Sequence, residues 1–384
     1  KFPPPDGFQP LNTANTRPDK VISRPDQYVD IVTYTSVNTN LTISGLNFQP
    51  DLVWQKQTTS GDSDRHFLTD SVRGAGTALR SDTNAIDAAS DAVESFTSDG
   101  WNITAGSGNA NQNTKSYVAW AWKAGGNKNT FNVDDIGYAT AAAAGLDGGS
   151  IAVTGASVGT KQGFSIIKYT GTGTAGTISH GLLEQPTLVI IKDLKNTNSW
   201  AVQHVGTTLG TGLLKLDSDA ASDSSVASAV WNSTAPTSSV FSVGTSGDTN
   251  YTTNSAEYIT YLWHDVPGLQ KFGTYTGNAD SGGNGPFVEL GFRPALVWFK
   301  ATTGTQPWNI FDSERGKINP IDEGLLINTP GTEFTGTARV DYLSNGFKVR
   351  APSGGNPNVA TTYIYCAWAE APSVDLFGGG ANAR

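Results

Sequence analysis

Two short stretches of the sequence carry a carboxylate and an arginine at identical spacing. The motif Asp-Ser-x-Arg-Gly begins at Asp70 and again at Asp312, so that Arg73 and Arg315 follow three residues later. A glycosidase needs two carboxylates that flank one sugar bond, and the best candidates are Asp70, Asp312 and Glu314. The stretch at Asp70 offers no convincing second carboxylate at a repeated position. We therefore expect Asp70–Arg73 and Asp312–Arg315 to be structural pairs at strand-end turns, and we expect no catalytic residue.

The remaining reactive side chains give little support for catalysis, a metal or a cofactor. Ser71 follows His66 closely, but the matching Ser313 has no such histidine, and a nucleophilic triad needs its base. Residues 62–64, Asp-Ser-Asp, open like a calcium loop but lack the glycine and the terminal glutamate of that motif. Cys366 is the only cysteine, which excludes an intrachain disulfide and a cysteine-based zinc cage. The sequence predicts a buried thiol, no metal and no cofactor.

The ten tryptophans of the chain divide into two groups. Six recur at strand positions of a repeat, where core packing explains them. The other four lie at or near predicted turns: Trp101, Trp200, Trp231 and Trp308. Aromatic rings flanked by Asn, Asp and Thr suit sugar stacking, so these four are candidate glycan contacts. Burial in a core or between domains is the alternative for them.

The overall charge argues against a polyanionic partner. The formal net charge is −9, and no stripe of Lys and Arg interleaved with aromatic residues is present. No apolar run approaches the length of a membrane span. We therefore expect neither nucleic-acid binding nor membrane insertion. The chain begins with Lys1 rather than Met, so its N-terminus was either processed or cut from something longer.

The elements that position these side chains belong to a repeat that occurs three times. Each copy opens with a tyrosine strand, around Tyr34, Tyr169 and Tyr275. Each continues with a proline and, six residues after it, with a lysine that ends a dense apolar strand; the lysines are Lys56, Lys192 and Lys300. A closing strand ends each copy, at 117–122, 258–263 and 363–368. Such agreement indicates three related modules.

Alternation along the closing strand places its largest apolar side chains on one face. In copy 1 this face carries Val118, Trp120 and Trp122, and it must point into a core. The counterparts are Ile259, Tyr261 and Trp263 in copy 2, and Ile364, Cys366 and Trp368 in copy 3. The strands that end in lysine are apolar on both faces, as expected of a central strand that is covered on both sides. Asp-Gly at 99–100 and Asn-Gly at 345–346 predict hairpins.

These patterns predict an all-β fold of three tandem β-sandwich or jelly-roll-like modules, with a Gly/Ala-rich linker between the first and the second. The predicted boundaries are an extended Pro-rich segment at 1–27, module 1 at 28–123, the linker at 124–163 with a short helical turn within 138–145, module 2 at 164–266, module 3 at 272–372, and a flexible Gly-rich tail at 373–384.

Several of these motifs together resemble a β-module repeated in uncharacterised virion proteins of marine and cyanobacterial phages, which are tail-fibre-like. They are Pro-Asp-Leu-Val-Trp from Pro50, Asp-Ser-Val-Arg-Gly from Asp70, Ser-Asp-Gly-Trp from Ser98, and Tyr-Val-Ala-Trp-Ala-Trp-Lys-Ala-Gly-Gly from Tyr117. The stretch 5–15 resembles the segment that follows a concanavalin-like or SPRY-like domain in longer members. The resemblance covers nearly the whole chain and brings no catalytic motif with it. It implies a structural protein of the virion.

We therefore expect a non-enzymatic tail fibre or appendage that presents β-modules for attachment to the host surface. One alternative is an architectural virion protein with no receptor role, such as a head fibre, a capsid decoration or a tail scaffold. Another is a polysaccharide depolymerase. The expected partners are other virion proteins, host surface glycan and further copies of the chain, with a trimer favoured by analogy to phage fibres.

Overall fold

The structure is a computed structural model that describes residues 21–37, 39–59, 65–105, 110–352 and 356–372. Within these ranges the chain has 27 strands, one α-helix and three short 3-10 helices. The all-β sandwich fold that the sequence predicts is confirmed. Of the predicted N-terminal segment the structure describes residues 21–27, in which Pro25–Gln27 form a 3-10 helix. The predicted tail at 373–384 lies outside the described residues.

Copy 1 of the repeat contains nine strands in three sheets. They are β1 Val29–Thr35, β2 Leu41–Ile43, β3 Leu52–Gln57, β4 Phe67–Asp70, β5 Thr77–Ala78, β6 Ala88–Ala89, β7 Ser95–Thr97, β8 Gly100–Ile103 and β9 Ser116–Trp122. The main sheet has the order β1-β9-β3-β4, the second sheet β2-β8-β7, and β5 pairs with β6. The hairpin predicted at Asp99-Gly100 joins β7 to β8.

The segment predicted as a linker contains three strands of a sheet. It forms β10 Phe131–Val133, β11 Ile136–Tyr138 and β12 Val153–Gly159. β12 pairs with the opening strand of copy 2, and β10 pairs with β12 and β11. The alanines at 141–144 form consecutive hydrogen-bonded turns and no regular helix; the N–H of Ala144 donates to the carbonyl oxygens of Thr140 and Ala141. Gly and Ala dominate the composition here, but Phe131, Val153 and Val158 supply apolar residues that are buried in the sheet's core.

Copy 2 adds five strands to the sheet begun by β10–β12. Its elements are β13 Phe164–Thr170, β14 Gly176–Ser179, β15 Leu188–Asp193, β16 Ala201–His204, a 3-10 helix at Val205–Thr207, β17 Leu214–Lys215, α1 Ala227–Trp231, β18 Val240–Val243, a 3-10 helix at Thr253–Ser255 and β19 Glu257–Trp263. The large sheet has the order β11-β10-β12-β13-β19-β15-β16-β17, and β14 pairs with β18. α1, which the sequence patterns did not predict, buries Ala227, Val230 and Trp231.

Copy 3 contains two sheets. Its strands are β20 Gln270–Thr276, β21 Phe287–Glu289, β22 Phe292–Ala301, β23 Asn309–Asp312, β24 Leu325–Leu326, β25 Val340–Leu343, β26 Gly346–Val349 and β27 Thr362–Pro372. The main sheet has the order β20-β27-β22-β23-β24, and the second sheet has the order β21-β26-β25. The hairpin predicted at Asn345-Gly346 joins β25 to β26.

The same strand order therefore occurs in each copy of the repeat. The opening strand pairs with the closing strand, the closing strand with the apolar Leu-Val strand, and the Leu-Val strand with the strand after it. The register agrees as well, because Leu52 lies opposite Asp70, Leu188 opposite His204, and Leu296 opposite Asp312. Asp70, His204 and Asp312 are thus structurally equivalent residues.

Each main sheet contributes to two cores. One face lies against the second sheet of its own copy; in copy 1 this private core contains Val53, Ala119 and Ala121. The other face joins a shared core to which all three copies contribute. The closing-strand face that was predicted to point into a core, with Trp120 and Trp122 in copy 1, lies in this shared core. The Leu-Val strands are consequently buried on both faces, as predicted.

Three equivalent tryptophans meet in the shared core. The ring centroids of Trp122 and Trp263 lie 6.3 Å apart, those of Trp122 and Trp368 5.6 Å, and those of Trp263 and Trp368 6.0 Å. All three pairs are edge-to-face, the arrangement that the ring quadrupole favours. The three repeats of the single chain are thus arranged around these tryptophans in an approximately three-fold manner.

Candidate functional site

The first repeated carboxylate, Asp70, ends β4, and both of its oxygens have partners within the protein. Its Oδ1 accepts hydrogen bonds from the backbone N–H groups of Val72 and Arg73, at 3.0 and 2.9 Å. Its Oδ2 lies 2.6 Å from Nε of Arg73, and the exposed fractions of the two side chains are 0% and 2%. Nη1 of Arg73 reaches Asp87 at 2.7 Å, and Nη2 donates to the carbonyl oxygen of Leu68. Burial is the largest single influence and would lower the pKa of Arg73, but the charges of Asp70, Tyr261 and Asp87 together with the hydrogen bond to Asp70 outweigh it and raise the pKa.

The second repeated carboxylate, Asp312, ends β23 in the same way. Arg315 places Nε at 2.7 Å and Nη2 at 2.6 Å from its Oδ2, and the exposed fractions of the Asp312 and Arg315 side chains are 0% and 5%. Oδ1 accepts from the backbone N–H of Arg315 at 2.9 Å, and Nη1 of Arg315 reaches Glu333 at 2.8 Å. Both arginines thus pair with one carboxylate at the strand end and with a second one further along the chain.

Each of these aspartates also accepts a hydrogen bond from another copy of the repeat. The hydroxyl of Tyr261 in copy 2 donates to Oδ2 of Asp70 at 2.8 Å. The indole Nε1 of Trp120 in copy 1 donates to Oδ2 of Asp312 at 3.1 Å. Tyr261 and Trp120 occupy equivalent positions in their closing strands. Each aspartate therefore pairs with the arginine of its own copy and also links that copy to another one.

Copy 2 has a histidine at the equivalent position and makes the equivalent contact. Nδ1 of His204 accepts from the backbone N–H of Gly206 at 2.9 Å, so the proton lies on Nε2, which contacts the carbonyl oxygen of Tyr365 at 3.1 Å. Burial lowers the pKa of His204 to about 4, which keeps the ring neutral. Cys366, which occupies the position of Trp120 and Tyr261, is too short to offer a donor, and the backbone beside it is used.

These contacts form a closed cycle, which we call the first contact cycle. It consists of Asp70 with Tyr261 from copy 1 to copy 2, His204 with Tyr365 from copy 2 to copy 3, and Asp312 with Trp120 from copy 3 to copy 1. Arg315 additionally lies over the ring of Trp120, with its Cζ 5.8 Å from the centroid.

A second contact cycle runs in the opposite direction and explains three further residues. His66, Trp200 and Trp308 each lie four residues before a member of the first cycle. Nε2 of His66 contacts the carbonyl oxygen of Leu326 at 3.0 Å. Nε1 of Trp200 donates to the carbonyl oxygen of Arg80, and Nε1 of Trp308 donates to that of Lys215, both at 2.9 Å. His66, for which the sequence offered no counterpart in copy 3, is therefore the equivalent of Trp308.

The four tryptophans predicted as candidate glycan contacts are all buried. Trp101 and Trp200 are 0% exposed, and Trp231 and Trp308 are 1% exposed. Trp101 lies in the private core of copy 1, Trp231 in that of copy 2, and the other two in the shared core. None of them presents a ring face on which a sugar could stack, so the glycan interpretation of these residues is wrong. Their positions near turns did not imply exposure, because the turns themselves are covered by neighbouring elements.

The lysines that end the Leu-Val strands are also buried in the interface between copies. Nζ of Lys192 contacts the carbonyl oxygens of Asp193 at 2.7 Å, of Asn198 at 3.0 Å, and of Asn84 in copy 1 at 3.3 Å. Nζ of Lys300 contacts the carbonyl oxygen of Ala301 at 2.8 Å and that of Asp219 in copy 2 at 3.2 Å. Burial lowers the pKa of both lysines to about 8. Sequence reasoning used these lysines only as repeat markers.

The chemistry available at the predicted site is accordingly limited. Asp70 and Asp312 have no exposed oxygen for a substrate, and each belongs to a different interface between copies. Among the described residues, no group of three or more His, Cys, Asp or Glu side chains could hold a metal ion. Cys366 is a buried free thiol, as predicted. The calcium-like stretch at 62–64 lies outside the described residues.

The match to known sequences covers all three copies as one unit. Residues 24–372 match a family described as a domain of unknown function, DUF7483. The chain belongs to this family. The DUF7483 match thus begins just before β1 and ends with β27, so it spans both contact cycles and the shared core. No curated protein matches the chain. In the described part of the chain, no helix is both long and apolar enough to cross a bilayer.

Proposed function

We propose that this DUF7483 protein is a non-enzymatic structural protein of a bacteriophage virion, most simply a tail fibre or appendage that attaches to the host surface. The motifs that resemble phage virion modules are the basis of the virion assignment. The expected partners are other virion proteins and a glycan of the host surface. The proposal includes a position in the particle, which is the tail.

The observation that carries the non-enzymatic role is the use of the repeated polar side chains inside the molecule. Asp70, His204 and Asp312 link one copy to the next, and each is 0% exposed. A glycosidase would have to aim two carboxylates at one sugar bond, whereas here the two aspartates hold two separate interfaces. The residues with the most specific pattern in the sequence therefore serve assembly of the repeats.

The structure also bears on the reason for expecting a trimer. A trimer is expected by analogy to phage fibres, and a chain of separate β-modules without a disulfide would gain stability from association. The shared core supplies such association within one chain, because the large apolar faces of all three closing strands are already covered. We therefore propose that one chain performs the role that three chains have in a homotrimeric fibre.

Labelling of intact particles tests the proposal directly. Gold-conjugated antibody raised against residues 24–372 should decorate purified virions at a fixed position, and the distal tail is the expected location. Decoration of the capsid or tail base alone would favour the architectural role without receptor binding. Absence of the chain from purified particles would contradict the virion assignment.

A second assay tests the enzymatic alternative. Wild-type protein incubated with host surface polysaccharide should leave the length distribution of the chains unchanged in size-exclusion chromatography. Shortening of the polysaccharide by the purified wild-type protein would overturn the non-enzymatic role.

A further inference from the structure

Each copy of the repeat carries the same tyrosine pair at the end of its closing strand that is remote from the tryptophan. The rings of Tyr34 and Tyr117 are stacked at 5.1 Å in copy 1. The corresponding pairs are Tyr169 with Tyr258 at 5.1 Å and Tyr275 with Tyr363 at 5.2 Å. The interplanar angles of all three pairs are small, between 6° and 14°. Because the same geometry recurs in all three copies, the tyrosine pair is a regular feature of the repeat and not incidental packing.

The hydroxyls of these tyrosines hold the loop that precedes the closing strand. The tyrosine of the opening strand donates to a carbonyl oxygen of this loop, as Tyr169 does to Thr249 and Tyr275 to Pro357. The hydroxyl of the closing-strand tyrosine accepts from the backbone N–H of the loop residue that lies two positions after this carbonyl. In copy 2 the N–H of Tyr251 donates to the hydroxyl of Tyr258 at 2.8 Å. The equivalent bonds are Tyr34 to Ala110, Gln112 to Tyr117 and Val359 to Tyr363. The loop backbone is thereby fixed at the same two points in each copy.

A buried asparagine between these two points ties the loop to a second loop. In copy 2, Oδ1 of Asn250 accepts from the N–H of Thr172 at 2.7 Å, and its Nδ2 donates to the carbonyl oxygens of Thr174 and Gly244, each at 2.8 Å. Oδ1 of Asn111 accepts the equivalent bond from the N–H of Val37, and Oδ1 of Asn358 accepts from that of Asn278; like Asn250, both asparagines are 0% exposed. The loop after the opening strand and the loop before the closing strand therefore form one rigid unit, which we call the paired loop.

Gly171 permits the close approach of the two loops in copy 2. A Cβ atom at this position would lie 2.0 Å from the carbonyl oxygen of Tyr251, and one at the equivalent Gly277 would lie 2.1 Å from that of Val359. This explains the Tyr-Thr-Gly motif that opens copies 2 and 3. The other side of the loop is fixed by Asn254, which has a positive φ of 56° and donates to Oδ1 of Asn196 at 2.7 Å.

The paired loop of copy 2 differs from the other two in one side chain that it presents. The residue after the buried asparagine is Tyr251, whose exposed fraction is 46%, whereas the equivalents are Gln112 and Val359. Its surroundings at 171–175 and 250–255 consist of Gly, Thr, Ala, Asn and Ser with no charged side chain. The nearest carboxylates on either side of 250–255 are Asp248 and Glu257, and both have partners. Asp248 pairs with Lys215 at 4.0 Å and accepts from the backbone N–H of Ser199, and Glu257 pairs with Lys168 and Lys195. The exposed ring of Tyr251 is thus held by the hydrogen-bonded paired loop and is surrounded by uncharged Thr, Ser and Asn side chains.

We propose that the paired loop of copy 2 is a carbohydrate-binding surface, with Tyr251 as the stacking residue, and that its ligand is a neutral sugar of the host surface. The inference rests on the proposed attachment function. An aromatic face packs against the C–H face of a pyranose, while neighbouring Thr and Asn side chains exchange hydrogen bonds with its hydroxyls. The absence of charge in the two loops favours neutral over uronic or sialic sugars. Because the frame is preorganised, little conformational entropy is lost on binding.

The test uses the full chain and an immobilised panel of defined oligosaccharides of glucose, galactose, mannose, rhamnose and N-acetylglucosamine, with uronic-acid oligosaccharides as a charged set. Wild type should bind at least one neutral sugar. Tyr251→Ala should weaken that binding about 3- to 10-fold, the contribution expected of one stacked ring, and Tyr251→Phe should retain it. The matched controls Gln112→Ala and Val359→Ala, at the equivalent positions of the other copies, should bind as wild type does.

Each other result contradicts the inference. Binding to no member of the panel, binding to the charged set alone, or equal binding by wild type and Tyr251→Ala would each overturn it. Tyr251 is exposed, so loss of folding does not complicate its variants; circular dichroism of each variant verifies this. Failure here is separable from failure of the proposed function, because antibody labelling of particles does not depend on sugar binding.

Discussion

The indole Nε1 of Trp120 donates a hydrogen bond of 3.1 Å to Oδ2 of Asp312, although 192 residues separate them along the chain. This bond joins the closing strand of copy 1 to the strand-end turn of copy 3. It also lies beside the Asp312–Arg315 ion pair, whose side chains are 0% and 5% exposed. One carboxylate thus satisfies a cation of its own copy and a donor of another.

Removal of a carboxylate from the first contact cycle should be strongly destabilising. Asp312→Ala leaves the buried guanidinium of Arg315 with only Glu333, and the indole N–H of Trp120 without an acceptor. Loss of one partner of a buried ion pair typically costs about 3–5 kcal/mol. The free energy of unfolding, measured in urea, should fall by that order. Lys195→Ala is the control, because it removes a pair to Glu257 that is half-exposed and should cost under about 1 kcal/mol. Similar losses in the two variants would show that the cycle contributes nothing special.

The three copies should unfold together rather than one by one. Trp122, Trp263 and Trp368 pack on one another, so that unfolding of any copy exposes the shared core of the other two. Scanning calorimetry should show a single transition. Trp263→Ala should cost about 3–5 kcal/mol and lower the temperature of that one transition. Three resolved transitions, with only one of them shifted by Trp263→Ala, would contradict a shared core.

Acid should weaken the interface between copies 2 and 3. The pKa of His204 is about 4 in the folded chain, below its ordinary value of 6.5, so the folded state binds fewer protons than the unfolded state between these values. The contribution of the neutral His204 ring to the free energy of unfolding is complete above about pH 6.5. It decreases as the pH falls through 4, by on the order of 3 kcal/mol in total.

The variant His204→Gln isolates this contribution. A glutamine amide can donate and accept as the neutral imidazole does, but it does not titrate. Urea unfolding at pH 7 and pH 4.5 should therefore show a smaller acid-induced loss of stability in His204→Gln than in wild type. His66 and His180, whose pKa values burial also lowers, remain in both proteins and cancel in the comparison. Equal acid sensitivity would show that His204 is not responsible.

The described chain should be monomeric in solution. Its three large apolar faces are buried against one another in the shared core, which removes the driving force for a homotrimer built from these faces. Light scattering coupled to size-exclusion chromatography should give the mass of one chain. A stable species of three times that mass would show that an additional surface mediates assembly.

Local patterns in the sequence were sufficient for the β-fold, the repeat and two of its hairpins. Strand alternation and turn residues are set by neighbouring positions, so the hairpins at Asp99-Gly100 and Asn345-Gly346 could be predicted. The spacing of Asp70 to Arg73 also lies within one turn, and the ion pair formed there is local. The buried strand at 153–159 was missed because its Gly and Ala content suggested a linker, whereas its Val residues fill a core.

Only the tertiary structure decided which core each face enters and what the repeated polar residues do. Both faces of the closing strand are apolar enough to be buried, so alternation cannot distinguish the face toward its own second sheet from the face toward the other copies. The partners of Asp70 and Asp312 lie 191 and 192 residues away, and no local spacing encodes them. Spacing along the chain aligns His204 with Asp312, but only the structure shows that His204, like Asp312, contacts the next copy. Burial of Trp101 and exposure of Tyr251 likewise depend on which elements cover each turn, a property of the folded chain and not of its local sequence.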